Sequence, residues 1–258
     1  GAPARPRARR MTDSTRPTLE IRHATPADIA GIVALSARVY PEEAPYTRGQ
    51  VAGHVHAFPQ GVFVATYDGE IVGYAASSCI REDRVMAPHT WDEITGGGYG
   101  SQHNGHGDWL YGIEVMVDPG RRRLRIGKRL YAARERLCMD LGLKGIAFGG
   151  RMPGYRRAQK GIGGPEAYLD AVRAGQLRDS VLSFQMKAGF EPARALPRYA
   201  PDDKPSGGHA ALMVWRNPYY DAEADAQPLT RANPDMVRVA SVQLSARTLK
   251  DPEAFYEN

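Results

Sequence analysis

The chain has 258 residues, 42% of them hydrophobic and 24% charged, which is ordinary globular usage and excludes wholesale disorder. It contains no run of 18 apolar residues long enough for a membrane span. The net charge of +5 is unevenly spread: residues 1–18 carry five Arg and one Asp, residues 40–118 three Arg against eleven acids, and residues 120–136 eight Lys or Arg against Glu135.

Cys79 and Cys138 stand far apart with no Cys-x-x-Cys pair, so neither a disulfide scaffold nor a cysteine-based zinc site is expected. The first ten residues hold no apolar core of a secretory signal, and Met11 is an equally good start; the expected compartment is the cytoplasm. Residues 1–17 read as a basic leader.

Leu19–Arg22 reads as a short strand. Thr25-Pro26-Ala27-Asp28 then opens a helix, with a capping threonine, proline in the first turn and an acid on the positive end of the dipole. Ile29, Ile32, Val33, Ser36 and Tyr40 follow at helical spacing, and Pro41 ends the element. A weaker helix is expected from Thr47 to His56. Val62–Tyr67 and Glu70–Ile80 are β-rich runs joined by Asp68-Gly69, a hairpin signal. Arg81–Asp108 reads as one long loop whose glycine-rich second half holds no regular structure.

Leu110–Val117 is the most apolar strand. A helix follows from about Gly127 to Leu141, then a strand over 145–150 and a basic, glycine-rich loop over 151–164. Helices are expected at Glu166–Ala174 and Asp179–Ala188, and strands at Arg194–Tyr199 and Ala210–Trp215. Residues 218–235 read as a linker, and 236–258 as a further strand and helix start.

The chemistry concentrates where the strand ending in Val117-Asp118-Pro119 runs through Gly-Arg-Arg-Arg-Leu-Arg-Ile-Gly-Lys into a helix. A helix N-terminus leaves backbone N–H groups unpaired beside a partial positive charge, which is a phosphate cradle by construction. Arg122, Arg123, Arg125 and Lys128 add positive charge, and Gly127 permits close approach of a bulky anion. Glu114 lies in the preceding strand, with Met116 on its face and Val115 and Val117 on the other. A carboxylate in an apolar strand has a raised pKa and suits a general base; a buried Glu paired with an arginine is the structural alternative.

This unit resembles the cofactor loop of the GCN5-related N-acetyltransferase (GNAT) family, Arg/Gln-x-x-Gly-x-Gly/Ala after a strand ending Val-x-Pro. The matching run is Arg122, Arg123, Leu124, Arg125, Ile126, Gly127, followed by Lys128. Arg125 stands where the family has its first glycine, and is expected to keep an ordinary helical-turn conformation. The resemblance covers roughly residues 18–217. It implies an α/β fold with a mixed, mostly antiparallel central sheet, a splayed cleft between strands 4 and 5, and helices on both faces. It also implies acetyl-CoA as cofactor, with the backbone of Val115, Met116 and Val117 pairing with the pantetheine arm.

The family's general acid, often a tyrosine just before Gly-Phe, aligns with Gln185. Tyr168 is the candidate carried forward, with water, Tyr155 and Tyr199 as alternatives. Residues 236–258 resemble the first strand and helix of the carbon–nitrogen hydrolase (nitrilase) superfamily, known in bacterial fusions to such acetyltransferases.

The expected function is N-acetyl transfer from acetyl-CoA to a small or peptidyl amine by direct attack; Glu42, Glu43, Asp108 and Glu114 point to a cationic acceptor. The rival is a non-catalytic acyl-CoA sensor attached to a hydrolase. No nucleic-acid, membrane or metal partner is expected: the basic run lacks interleaved aromatics, and His103 and His106 have poor metal spacing. The strand at Val237–Leu244 is expected to pair with the acetyltransferase sheet or with a second copy in a homodimer.

Overall fold

The computed structural model describes residues 18–42, 44–121 and 123–225. The leader, Glu43, Arg122 and residues 226–258, which include most of the expected linker and the whole hydrolase-like fragment, lie outside the described residues. The chain divides into two compact units between Asn217 and Pro218. The described part of the second holds one short helix, Ala222–Asp225.

The first unit is built on seven strands: β1 (Leu19–His23), β2 (Val62–Tyr67), β3 (Glu70–Ile80), β4 (Trp109–Val117), β5 (Gly145–Arg151), β6 (Glu191–Leu196) and β7 (Ala210–Arg216). Their order is β1-β2-β3-β4-β5-β7-β6. Every pairing is antiparallel except β4 with β5. Asp68 and Gly69 both take positive φ, 51° and 80°, as the two-residue hairpin between β2 and β3 requires.

Alternate residues of the strands face two helical layers. On one face α1 (Ile29–Val39) and α2 (Arg48–Ala57) pack Ile32, Leu35, Val51 and Val55 against Val62, Val64, Tyr74 and Met116. On the other, α5 (Ile126–Asp140) packs Ile126 and Leu130 against Phe63, Ala65, Val72 and Ala75. There α7 (Pro165–Arg173) and α8 (Ser180–Lys187) extend the layer over β5 and β7. Asp28 anchors the start of α1: the Arg22 guanidinium, at 2.8 Å, and Thr25 hold its carboxyl at about 2.

The expected open loop over 81–108 is instead built. It contains α3 (Glu82–Met86) and α4 (Trp91–Thr95), and Gly96, Gly97, Gly98 and Gly100 take positive φ in the turns that follow. His103 stacks on Phe58 at 4.5 Å and accepts the Cys79 N–H. The basic loop after β5 likewise holds the single-turn helix α6 (Tyr155–Ala158). β6 begins at Glu191, three residues before the expected start, because Pro192 is tolerated on a sheet edge.

Candidate active site

β4 and β5 pair over only three positions, Trp109–Gly145, Leu110–Ile146 and Tyr111–Ala147. Beyond Tyr111 they separate, and β4 continues on β3 alone. The β3–β4 register explains the break: Ala76 faces Glu114 but Ser77 faces Gly112, so Ile113 is an extra residue, a β-bulge. The bulge shifts the alternation by one. Ile113 and Met116 both face the α1–α2 layer, while Val115 and Val117 face α5.

Backbone directions follow from the ladder. Asp118 donates its N–H to Val72, so Met116, two residues earlier, also bonds toward β3. Val115 and Val117 turn their backbone groups toward the opened cleft. Met116, expected as a backbone partner of the cofactor, therefore has its polar backbone occupied by Tyr74.

Glu114 sits at this opening. Its Oε1 accepts from Tyr40 Oη at 3.0 Å and from the Val115 N–H at 2.9 Å; its Oε2 accepts from Tyr46 Oη at 3.1 Å. Burial raises its pKa, and these three donors together with the Arg134 charge oppose the rise. Arg134, on α5, does not pair with the carboxylate. Its Nη2 donates to the carbonyls of Ala76 and Glu114, the two residues that flank the bulge. Gly112 leaves room for this guanidinium: a Cβ there would come within 3.1 Å of Arg134 Nη1. His54 Nδ1 lies 2.7 Å from Tyr74 Oη behind the site, and burial depresses its pKa to about 4, so it is neutral at physiological pH.

The cradle lies at the start of α5. Arg125 is the N-cap and provides no side-chain cap, and Arg129 N–H makes a backbone bond to its carbonyl. The N–H groups of Ile126, Gly127 and Lys128 are thus in the free first turn. Among the described residues nothing demands glycine at 127: a Cβ would meet Phe184 and Val117 only at 3.7 and 3.8 Å. Arg122, expected to hold phosphate, lies outside the described residues. Arg123 takes φ 74°.

Residues 29–160 match the acetyltransferase (GNAT) family. The chain is 32% identical over 206 residues to the Bacillus subtilis uncharacterized N-acetyltransferase YkwB, covering 78% of this chain and 90% of that protein. The chain belongs to the GNAT acetyltransferase family. It is also 39% identical over 235 residues to the probable hydrolase YhcX of the same organism, covering 91% of this chain but only 45% of YhcX. The chain thus spans less than half of that relative, and a match of this length cannot be contained in its first 217 residues. Among solved structures, the GNAT-like decarboxylase GphF in complex with isobutyryl-CoA superposes with a TM-score of 0.65 at 25% identity, covering 77% of this chain and 99% of that one. The loading GNAT-like domain of CurA from Lyngbya majuscula gives 0.66 at 20%, covering 78% and 98%.

Several expected residues of this GNAT domain take other roles. Arg125 does not keep a helical-turn conformation: it is left-handed, at φ 55° and ψ 28°, doing with an L side chain what the family's glycine does freely. Arg125→Val should destabilise by about 1–2 kcal/mol, since β-branching disfavours this region, whereas Arg125→Gly should be neutral or slightly stabilising. Urea unfolding of both variants checks this, and equal stabilities would contradict a strained cap.

Tyr168, expected to be the proton donor, is buried and donates its hydroxyl to Asp179 Oδ2 at 2.8 Å. Asp179 also accepts from the backbone of Gly154, Val181 and Leu182, so this tyrosine is part of the clamp that starts α8. Tyr155 packs edge-on against it. Tyr199 Oη is 2.9 Å from Tyr111 Oη, which in turn is 2.9 Å from His89 Nε2.

Gln185, at the family's tyrosine position, is buried, and its Oε1 has no hydrogen-bond partner. Tyr131 and Arg134 both escaped the sequence reading, though an arginine four residues after Leu130 and three before Leu137 sits visibly on the apolar stripe. A cavity of about 360 Å³ lies elsewhere, against α3 and α4; none of its lining residues, among them Arg84, His89 and Glu93, belongs to β4, β5 or α5.

Proposed function

We propose that this chain is an acetyl-CoA-dependent N-acetyltransferase that acts on a small or peptidyl amine by direct attack, with no covalent enzyme intermediate. The observation that carries the reading is the Glu114 carboxylate at the mouth of the β4–β5 cleft, on the strand that runs into the uncapped N-terminus of α5. CoA, when bound, supplies an activated acetyl thioester.

The chain's own residues supply the rest. The free N–H groups of Ile126, Gly127 and Lys128 bind pyrophosphate at the positive end of the helix dipole, and the missing side chain at Gly127 lets it approach closely. Val117 offers its cleft-facing backbone to an amide-bearing arm. Val115 N–H lies on the same edge, suited to polarising a carbonyl once Glu114 Oε1 releases it. Glu114, oriented by Tyr40 and Tyr46, takes the proton from the attacking amine. The resemblance of residues 236–258 to a hydrolase start and the match to YhcX support joining this activity to a carbon–nitrogen hydrolase.

The test has two parts. Release of free thiol from acetyl-CoA should depend on an added amine. Gly127→Glu, which sets an anion in the cradle, should weaken CoA binding by no less than the loss of one charged hydrogen bond, about 1.5–3 kcal/mol. Calorimetry that finds the affinity unchanged would remove the cofactor assignment.

A further inference from the structure

Arg194 stands in β6 opposite Leu212 of β7, and Leu212 stands opposite Gly149 of β5. Cross-strand partners share a face, and this face carries Leu196, Tyr111 and Tyr199. Arg194 is therefore on the same side of the sheet as the Tyr40–Tyr46–Glu114 cluster.

Its Nε and Nη2 are buried and have no hydrogen-bond partner. No ion pair among the described residues involves it. Nε and Nη2 form one edge of the guanidinium, the edge that binds both oxygens of a carboxylate at once. A buried charged fork with nothing in it is costly unless a ligand fills it.

The surroundings lead to the cleft. The Tyr199 ring covers Gly149, where a Cβ would collide with it, and its hydroxyl meets that of Tyr111, the last residue of β4 still paired with β5. His89 closes the group: burial first, then the Arg194 charge, hold its imidazole neutral, so it brings no competing cation. Arg194 and Glu114 stand three strands apart on this face, across β7 and β5; ordinary spacing alone makes that about 14 Å, and the parting of β5 from β4 widens it.

We infer that Arg194 is a carboxylate clamp on the acceptor side of the cleft, selecting an acceptor that carries both an amine and a carboxylate, as a free amino acid does. This rests on the acetyltransferase reading above, and it replaces the expectation of a purely cationic acceptor.

The experiment uses the full chain saturated with CoA and titrates it with N-acetylated amino acids and the matching amides, which differ only in the carboxylate. The expected result is at least tenfold tighter binding of one or more carboxylates than of their amides. Arg194→Gln should abolish that preference while leaving amide and CoA affinities unchanged, and Arg194→Lys, which keeps the charge but loses the fork, should restore part of it. Equal binding of carboxylate and amide by the wild type overturns the clamp, as does equal loss of both in Arg194→Gln. A parallel titration compares acetyl-CoA with malonyl-CoA. If Arg194→Gln weakens only malonyl-CoA, the carboxylate belongs to the acyl group and the acceptor assignment is overturned. If the wild type binds no CoA, the acetyltransferase reading fails on its own, and the carboxylate–amide comparison on the cofactor-free chain still decides the clamp.

Discussion

Glu114→Gln should lower turnover by about 10²-fold while leaving CoA affinity unchanged, the usual contribution of a positioned general base. The amide keeps the side chain's shape and still accepts a bond from Tyr40 or Tyr46, so the change isolates basicity. The pH profile carries the sharper information. Burial raises the Glu114 pKa, and only the ionised carboxylate accepts a proton. Wild-type kcat/KM should therefore fall as pH drops through that raised value. A second, higher limb belongs to deprotonation of the acceptor amine. In Glu114→Gln the lower limb should vanish and the amine limb remain. Identical profiles would make Glu114 a structural acid for two tyrosines.

Arg134→Met should destabilise the fold by about 3 kcal/mol in urea titration. Methionine fills the volume but leaves the Ala76 and Glu114 carbonyls without their charged donor, and each such bond is worth about 1.5–3 kcal/mol. Part of that loss is offset, because a buried guanidinium no longer has to be desolvated. Activity should fall as well, since the bulge loses its tie to α5 and Glu114 loses the cation that moderates its pKa. A loss below about 1 kcal/mol would mean that the bulge holds its shape without Arg134.

Features written in local sequence were legible. The Asp68-Gly69 hairpin, the Thr25-Pro26 helix start and the basic run into α5 each depend on a few neighbouring residues. Features set by tertiary contact were not. The 81–108 segment looks unstructured because its glycines are many, yet those glycines serve turns that let the chain pack closely: a Cβ at Gly100 would lie 3.1 Å from the His54 ring. Tyr40 looks like the last apolar residue of a helix, and only the fold brings its hydroxyl to a carboxylate 74 residues away. The left-handed Arg125 was hidden for another reason: left-handed backbone at an arginine is rare, and only the family's glycine at that position signalled it.

The one-residue excess at Ile113 separates what substitution can change in this protein from what it cannot. Side chains after the bulge face the layers they do because of how many residues precede them, not because of what those residues are. Counted in strict alternation from Trp109, with Ile113 taken into the ladder, position 114 would fall on the α5 side, beneath the helix instead of beside the tyrosines; the extra residue is what keeps it on the face of Met116. No exchange of side chains achieves that. Point mutations can thus tune the strength of this carboxylate, but its address is fixed by the number of residues that β4 sets against β3.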